Sequence, residues 1–459
     1  MAVSGRAEIS VGEIAAAIKN ALVGGPFGSD LGTADYVPTG VPVIRGQNLS
    51  LGKFVGGDFV FVSEEKADKL RANLARPGDL VFTQRGNAVL HGGQVAIVPD
   101  KPFDRYVVSQ SQMKLTSDDT KVDPEYLYFV FTSAEYRHYL QSNAVVTGVP
   151  HINLGLLREY VLSLPPLSEQ KAIAAVLGAL DDKIELNRRM NATLESMARA
   201  LFQSWFVDFD PVRAKLDGRE PAGMTAETAE LFPDRFHHSE TGKIVPEGWV
   251  TTELGHEVDF QTGFAFPSEQ FTEVPPGIRL ARGMNVKEGE FFWGNQSRYW
   301  PEVTEDLTQY LLKVGDVLIG MDGSKVGKNW VRVRSSDLPC LLVQRVARLR
   351  ELNSIGQNFI ALLIGSTTFR DFVDAVKTGT SIPHISGGQI KGYSFVRPPI
   401  GDDRLFHAFE ALVGPMTAQA DKNHAEAEIL TALRDTLLPK LLSGELGVVG
   451  AQNIVERVS

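Results

Sequence analysis

Several stretches of this 459-residue chain have residue types and spacings that could do chemistry. Gly323-Ser324-Lys325-Val326-Gly327-Lys328-Asn329 has the outline of a loop in which backbone amides and a lysine cradle nucleotide phosphates. Its glycines are one residue too close, and Asn329 stands where a magnesium-binding Ser or Thr belongs, so it reads as a basic hairpin. Pro99-Asp100 followed by Asp119 and Lys121 satisfies a metal-dependent nuclease pattern, but SDDTK reads as a turn and the pattern is permissive. Methylating a base would need an Asn-Pro-Pro-Tyr or Asp-Pro-Pro-Phe loop to grip the flipped nucleotide, and neither occurs. The nine histidines form no HExxH pair. Cys340, the only cysteine, allows neither a disulfide nor a cysteine-based zinc site and reads as a core residue. No catalytic or metal-ligating residue is assigned.

What remains is hydrogen-bonding chemistry, and the chain offers it twice. TGVPHINLGLLREY at 147–160 returns as TGTSIPHISGGQIKGY at 378–393. An offset of 233 lays Pro150-His151-Ile152 on Pro383-His384-Ile385 and Pro165-Pro166 on Pro398-Pro399. An offset of 237 lays Arg45-Gly46-Gln47-Asn48 on Arg282-Gly283-Met284-Asn285. A period this long means two whole domains, not a solenoid. In the second frame Thr83-Gln84-Arg85-Gly86-Asn87 falls on Gly320-Met321-Asp322-Gly323-Ser324, so one backbone frame presents different donors and acceptors.

Arginine pairs with guanine through two prongs, glutamine and asparagine pair with adenine, and aspartate accepts from cytosine. Were the partner a DNA duplex, the candidate contacts of the first copy would be Gln47, Asn48, Thr83, Gln84, Arg85, Asn87, His91, Gln110, Gln112 and Thr147. Those of the second would be Arg282, Asn285, Asp322, Ser324, Lys325, Lys328, Gln344, Arg345 and Thr378. The Thr-Gly turns could face hydroxyls and amides toward phosphates with His151 and His384 beside them. Equally, they could be structural turns; the isoleucine next to each histidine favours that second role for the histidines.

The net charge of −10 opposes a nucleic-acid partner until it is divided along the chain. Segment 249–399 holds 16 basic and 16 acidic residues, so the excess acid lies elsewhere. Within 323–350, Lys325, Lys328, Arg332, Arg334, Arg345, Arg348 and Arg350 face one acid, Asp337, a footprint that suits a phosphate backbone. The longest apolar run, IAAVLGAL at 173–180, is too short to span a membrane, and the first ten residues hold no export signal. The chain is expected to be soluble and cytoplasmic.

Short apolar runs such as VPVIRG and DLVFTQRG, punctuated by Gly, Pro and Asn, predict strands. EYLYFVFTSAEYRHYLQS and QNFIALLIGSTTFRDFVDAV predict helices. After each copy the pattern changes. Ile173, Leu177, Leu180, Ile184, Asn187, Asn191, Leu194, Ala198, Leu201 and Trp205 step by four and three as a heptad seam, with Ser168 as helix cap. Phe409, Val413, Met416, Ala420, Asn423, Ala427 and Leu430 repeat the pattern, and Pro439 is expected to bend or end that helix.

Asn187, Asn191 and Asn423 in the seams should fix one register at some cost in stability. The expected fold is α+β: two tandem mixed α/β recognition domains, separated by two long antiparallel coiled-coil helices, as a pseudo-two-fold internal repeat. Its parts are domain 1 (1–166), a central helix (167–207), a linker (208–248), domain 2 (249–399), a distal helix (400–446) and a tail (447–459). Antiparallel helices of about 40 residues, roughly 60 Å long, would act as a ruler between two readers.

GGPFGSDL, DYVPTGVPVIRGQNL, the run from PLSEQKAIAAVLGALDDKIELNRRM to FVDFDPVRAK, LFPDRF, PEGW and LRDTLLPKLLSGEL together resemble the specificity subunit of type I restriction-modification systems. The resemblance implies two target-recognition domains, each reading half of a split double-stranded DNA sequence. It also implies docking of two methyltransferase subunits and of restriction subunits, with S-adenosylmethionine, ATP and magnesium held by those partners and none by this chain. One departure concerns Pro246-Glu247-Gly248-Trp249, which leads into domain 2, whereas the amino terminus starts near Ala7 without it.

Overall fold

The computed structural model describes residues 6–50, 52–239, 242–294, 296–379 and 381–458. The chain ends, and Thr380 of the second repeated phrase, lie outside the described residues. Two compact units emerge: unit 1 combines Met1–Leu186 with Glu426–Ser459, and unit 2 is Asn187–Ala425.

Unit 1 opens with the strand Ala7–Ser10, paired antiparallel with Val161–Leu164. It therefore forms its opening strand without the Pro-Glu-Gly-Trp lead-in. A four-stranded sheet runs in the order Leu22–Gly24, Gln112–Leu115, Leu80–Thr83, Val95–Ile97. A five-stranded sheet includes Val41–Ile44 parallel to Tyr106–Val108. Unit 2 repeats the plan. Val250–Glu253 pairs with Ser394–Arg397, a four-stranded sheet orders Val258–Thr262, Val346–Glu351, Val317–Gly320, Trp330–Arg332, and Ile278–Ala281 runs parallel to Cys340–Leu342. Leu80–Thr83 and Val317–Gly320 are buried throughout, as apolar strands covered on both faces must be.

The helical segments are each broken once. Pro124–Thr132 stops at Ser133, whose hydroxyl caps Ala134–Asn143 by accepting from Tyr136 N at 3.2 Å. Gln357–Ile364 stops before Ser366, which caps Thr367–Val376 by accepting from Phe369 N at 3.1 Å. The break falls at one repeat position, where a serine side chain replaces the helical backbone partner. Asn153 and Ser386, also equivalent, cap the short helices Leu154–Glu159 and Gly387–Lys391.

Two helices of 40 residues, Leu167–Phe206 and Arg404–Ser443, contribute to both units. Ser168 lies inside the first, which begins at Leu167; Glu169 meets Arg6 at 2.9 Å. Pro439 does not end the second. Leu441, buried beyond it, continues the apolar face to Ser443. In unit 1 Asp181 meets Arg434 and Lys183 meets Glu426, so partner numbers fall as central-helix numbers rise. In unit 2 the same trend joins Asn191 to Asn423, Phe202 to Phe409 and Phe206 to Phe406. The pairing is antiparallel in each unit, and every seam residue is buried or half-buried.

Unit 1 packs Phe82 against Phe131 and Phe131 against Tyr136, both with ring centres 4.9 Å apart, together with the distal-helix residues Leu430, Leu437 and Leu441. In unit 2, Phe359 packs on Phe206 and Phe406, each at 4.9 Å. Segment 208–248 carries the helix Asp210–Leu216 and a ribbon of Phe236–His238 with Ile244–Pro246. The last segment forms the helix Val448–Val458, and its Ala451 is buried in the unit 1 core. Cys340 is buried, and burial pushes its thiol pKa up. No described helix is long and apolar enough to cross a membrane.

Candidate nucleic-acid interface

In each unit the repeated Pro-His-Ile phrase closes a small backbone clamp around one loop. In unit 1 Val145 and His151 exchange backbone hydrogen bonds at 2.9 and 3.0 Å, and Ile152 N donates to Gln84 O at 3.0 Å. Gly86 N donates to Pro150 O at 2.9 Å. On the other side, Gln84 N and Arg85 N both donate to Ser111 O, at 2.8 and 3.2 Å. Unit 2 repeats the clamp, with one amide instead of two on the outer carbonyl. Thr378 and His384 exchange bonds at 2.9 and 2.8 Å, Ile385 N donates to Met321 O at 2.9 Å, and Gly323 N to Pro383 O at 2.9 Å. Met321 N donates to Arg345 O at 2.9 Å.

Arg85 bridges His151 as Asp322 bridges His384, which matches the alignment of Arg85 with Asp322. Gly86 and Gly323 sit at φ of +112° and +100°, a region open to glycine but strained for L side chains. Ile152 and Ile385 are buried and anchor the clamps in their cores. The second copy of the phrase thus positions a loop, and His384 Nε2 lies 2.9 Å from Thr378 Oγ1, tying up that hydroxyl.

The clamps leave some side chains outside and take others in. Arg85, Asn87, His91, Gln110, Gln47 and Thr147 are exposed and Gln84 half-buried in unit 1. Arg85 makes no side-chain hydrogen bond or ion pair among the described residues. In unit 2 Ser324, Lys325, Lys328, Gln344, Arg345 and Thr378 are exposed, with Asp322 half-buried 4.0 Å from Arg345 Nε. Arg345 adopts φ of +66°, a left-handed conformation that costs an arginine about 1 kcal/mol or more and turns its side chain beside Asp322. Arg282 is half-buried over the Phe271 ring, and burial, with Arg298 nearby, lowers its pKa.

Four expected contacts are withdrawn from the surface. Asn48 is fully buried: its Oδ1 accepts from Arg45 N at 2.9 Å and its Nδ2 donates to Gly56 O at 2.8 Å. Asn285 plays the same part, donating to Phe292 O at 3.0 Å. Both asparagines are spent on their own turns. Thr83 is buried in its strand, and Gln112 is buried with Oε1 accepting from Ser109 Oγ.

The basic run is also smaller than its sequence suggests. Arg332 and Arg334 pair with Asp421, Arg348 is buried against Asp259, and Arg350 grips Asp316 through two bonds of 2.7 and 2.8 Å. Lys325, Lys328 and Arg345 remain solvent-facing. The hairpin carrying the two lysines joins Val317–Gly320 to Trp330–Arg332. No cluster of three or more metal-ligating side chains occurs among the described residues.

Sequence reasoning missed three exposed apolar residues: Phe27 at 84%, Val149 at 64% and Ile382 at 66%. Phe27 lies in the turn Gly25-Pro26-Phe27-Gly28, where a Cβ on Gly25 would meet Ser109 O at 2.0 Å. The available signal was an apolar residue within a Gly- or Pro-punctuated turn, where no strand or helix pattern would bury it.

Two copies of one backbone frame, each presenting different polar side chains on a fixed clamp, define an internally duplicated protein. Residues 32–196 match the family model described as type I restriction modification DNA specificity domain. The type I restriction enzyme HindI specificity subunit of Haemophilus influenzae is 26% identical over 407 residues, covering 81% of this chain and 87% of that protein. The MjaIX specificity subunit of Methanocaldococcus jannaschii is 24% identical over 330 residues, covering 71% and 69%. The crystal structure of the type I restriction-modification S subunit from M. genitalium shares the fold, with a TM-score of 0.57 at 15% identity over 96% of each chain. In sequence and in fold the chain is thus similar to type I restriction-modification specificity subunits.

Proposed function

We propose that this chain is the DNA-reading, non-catalytic subunit of a type I restriction-modification complex. Each recognition domain (1–166 and 249–399) reads one half of a bipartite, asymmetric duplex target. Methyltransferase and restriction subunits dock on the chain and bring S-adenosylmethionine, ATP and magnesium. One observation carries the reading: the same clamp presents Arg85 in one unit and Asp322 in the other. A shared fold alone would not need the difference; two unlike half-sites would. Arginine suits guanine, aspartate suits cytosine.

The test mixes the chain with its methyltransferase and maps modified adenines. The expected product is a split target with dissimilar halves, methylated only by the mixture. Arg85→Ala should cost about 1–3 kcal/mol of discrimination at a single base pair in one half. Methylation by this chain alone, or unchanged base preference in Arg85→Ala, would refute the proposal.

A further inference from the structure

Val149 and Ile382 occupy the same place, the residue immediately before Pro-His in each repeated phrase. Both are β-branched aliphatics, and both face solvent, at 64% and 66%. A single exposed aliphatic is ordinary. Here the exposure recurs in two copies whose neighbouring polar side chains have diverged, from Arg85 to Asp322 and from Asn87 to Ser324. The clamp explains why neither can turn inward. The following Pro150 and Pro383 carbonyls are fixed by Gly86 N and Gly323 N, and the next backbone groups by the exchanges with Val145 and Thr378. Gly148 and Gly379, at φ of +78° and +89°, make the turn that presents them.

Their surroundings select the occupant. Arg85, Asn87 and Thr147 are exposed in the first unit, and Ser324, Lys325 and Thr378 in the second. A stable protein interface buries about 800 Å² per partner around an apolar centre. The first clamp exposes Val145, Val146 and Val149 and the second Ile382, a few aliphatics among polar and cationic groups and far less than such a centre. An apolar wedge beside phosphate-seeking side chains matches the way proteins press Leu, Ile or Phe against a base step or sugar face of a duplex.

We propose that Val149 and Ile382 are sequence-independent wedges seated against duplex DNA, one in each half-site. The idea rests on the DNA-reading function above. The test uses the full chain assembled with its methyltransferase, and the probes are the mapped target duplex and an unrelated duplex of equal length. Val149→Thr keeps the shape and removes the apolar contact. It should weaken binding to both duplexes about fivefold while leaving the ratio between them unchanged, and Ile382→Thr should do the same. Val149→Ile should bind as the original does. Unchanged affinity in the threonine variants, or loss of the methyltransferase on gel filtration with DNA affinity intact, overturns the wedge. A parent complex that binds neither duplex overturns the reading function and the wedge together; target preference with unaffected variants overturns the wedge alone.

Discussion

The asparagines between the long helices in unit 2 form a chain of bonds whose removal has a calculable cost. Asn423 Nδ2 donates to Asn191 Oδ1 at 2.9 Å, Asn191 Nδ2 donates to Ala420 O at 3.0 Å, and Gln419 Nε2 donates to Asn423 Oδ1 at 2.8 Å. Asn423 is 3% exposed, so its amide has no access to water if its partner disappears. Asn191→Leu strands that buried donor and should cost about 1–3 kcal/mol. Asn423→Leu strands Asn191 Oδ1, which is half-buried, while exposed Gln419 turns to solvent; about 1–2 kcal/mol should be lost. The double leucine variant strands neither amide and adds apolar contact, so it should be near the parent in stability or above it. The coupling should therefore reach about 2–5 kcal/mol, the sum of the two single losses. Urea unfolding followed by tryptophan fluorescence isolates this region, because Trp205, Trp249, Trp293, Trp300 and Trp330 all lie in unit 2. Single-variant losses that add in the double variant to within about 0.5 kcal/mol would refute the reasoning.

Other outcomes follow from the same geometry. Replacing Lys325 and Lys328 together by Ala should lower the slope of log affinity against log salt by about two on any duplex, and an unchanged slope would remove both from the phosphate contacts. Ser133→Ala and Ser366→Ala should each cost about 1 kcal/mol through loss of a helix cap, measured by urea unfolding; no loss would show that the breaks are set by packing alone. Burial holds the Glu410 carboxyl above the usual range despite its bonds to Asn358 and Phe359 N. A raised folded pKa means that the native state holds the proton more tightly, so stability is fully present below about pH 4.3 and declines as pH rises through the folded value. Glu410→Gln should flatten the urea midpoint between pH 4 and 7, and parallel profiles for the two proteins would contradict this.

The duplication, the helix seams and the repeated phrase were legible because each is periodic along the chain. Which polar residues face outward was not. Asn48 and Asn285 can serve adenine or their own turn equally well, and only the nearby Arg45 N and Arg282 N decide for the turn. Arg332 and Arg348 read as free cations because their acids, Asp421 and Asp259, lie 89 residues away. The apolar period runs straight across Ser133 and Ser366, so the helix breaks there left no mark in hydrophobic spacing. Pro439 shows the opposite: the local rule that would end the helix there was overridden, and the helix runs on through the buried Leu441 to Ser443.

The composition of unit 1 has a consequence for biosynthesis. Its core includes Leu430, Leu437, Leu438, Leu441 and Ala451, so about four hundred codons separate its first strand from the residues that finish it. Unit 2 is contiguous and complete once residue 425 has left the ribosome. A nascent chain therefore seals its middle before its beginning, and a truncation that removes only the final segment would leave the earliest-made part with an open apolar face.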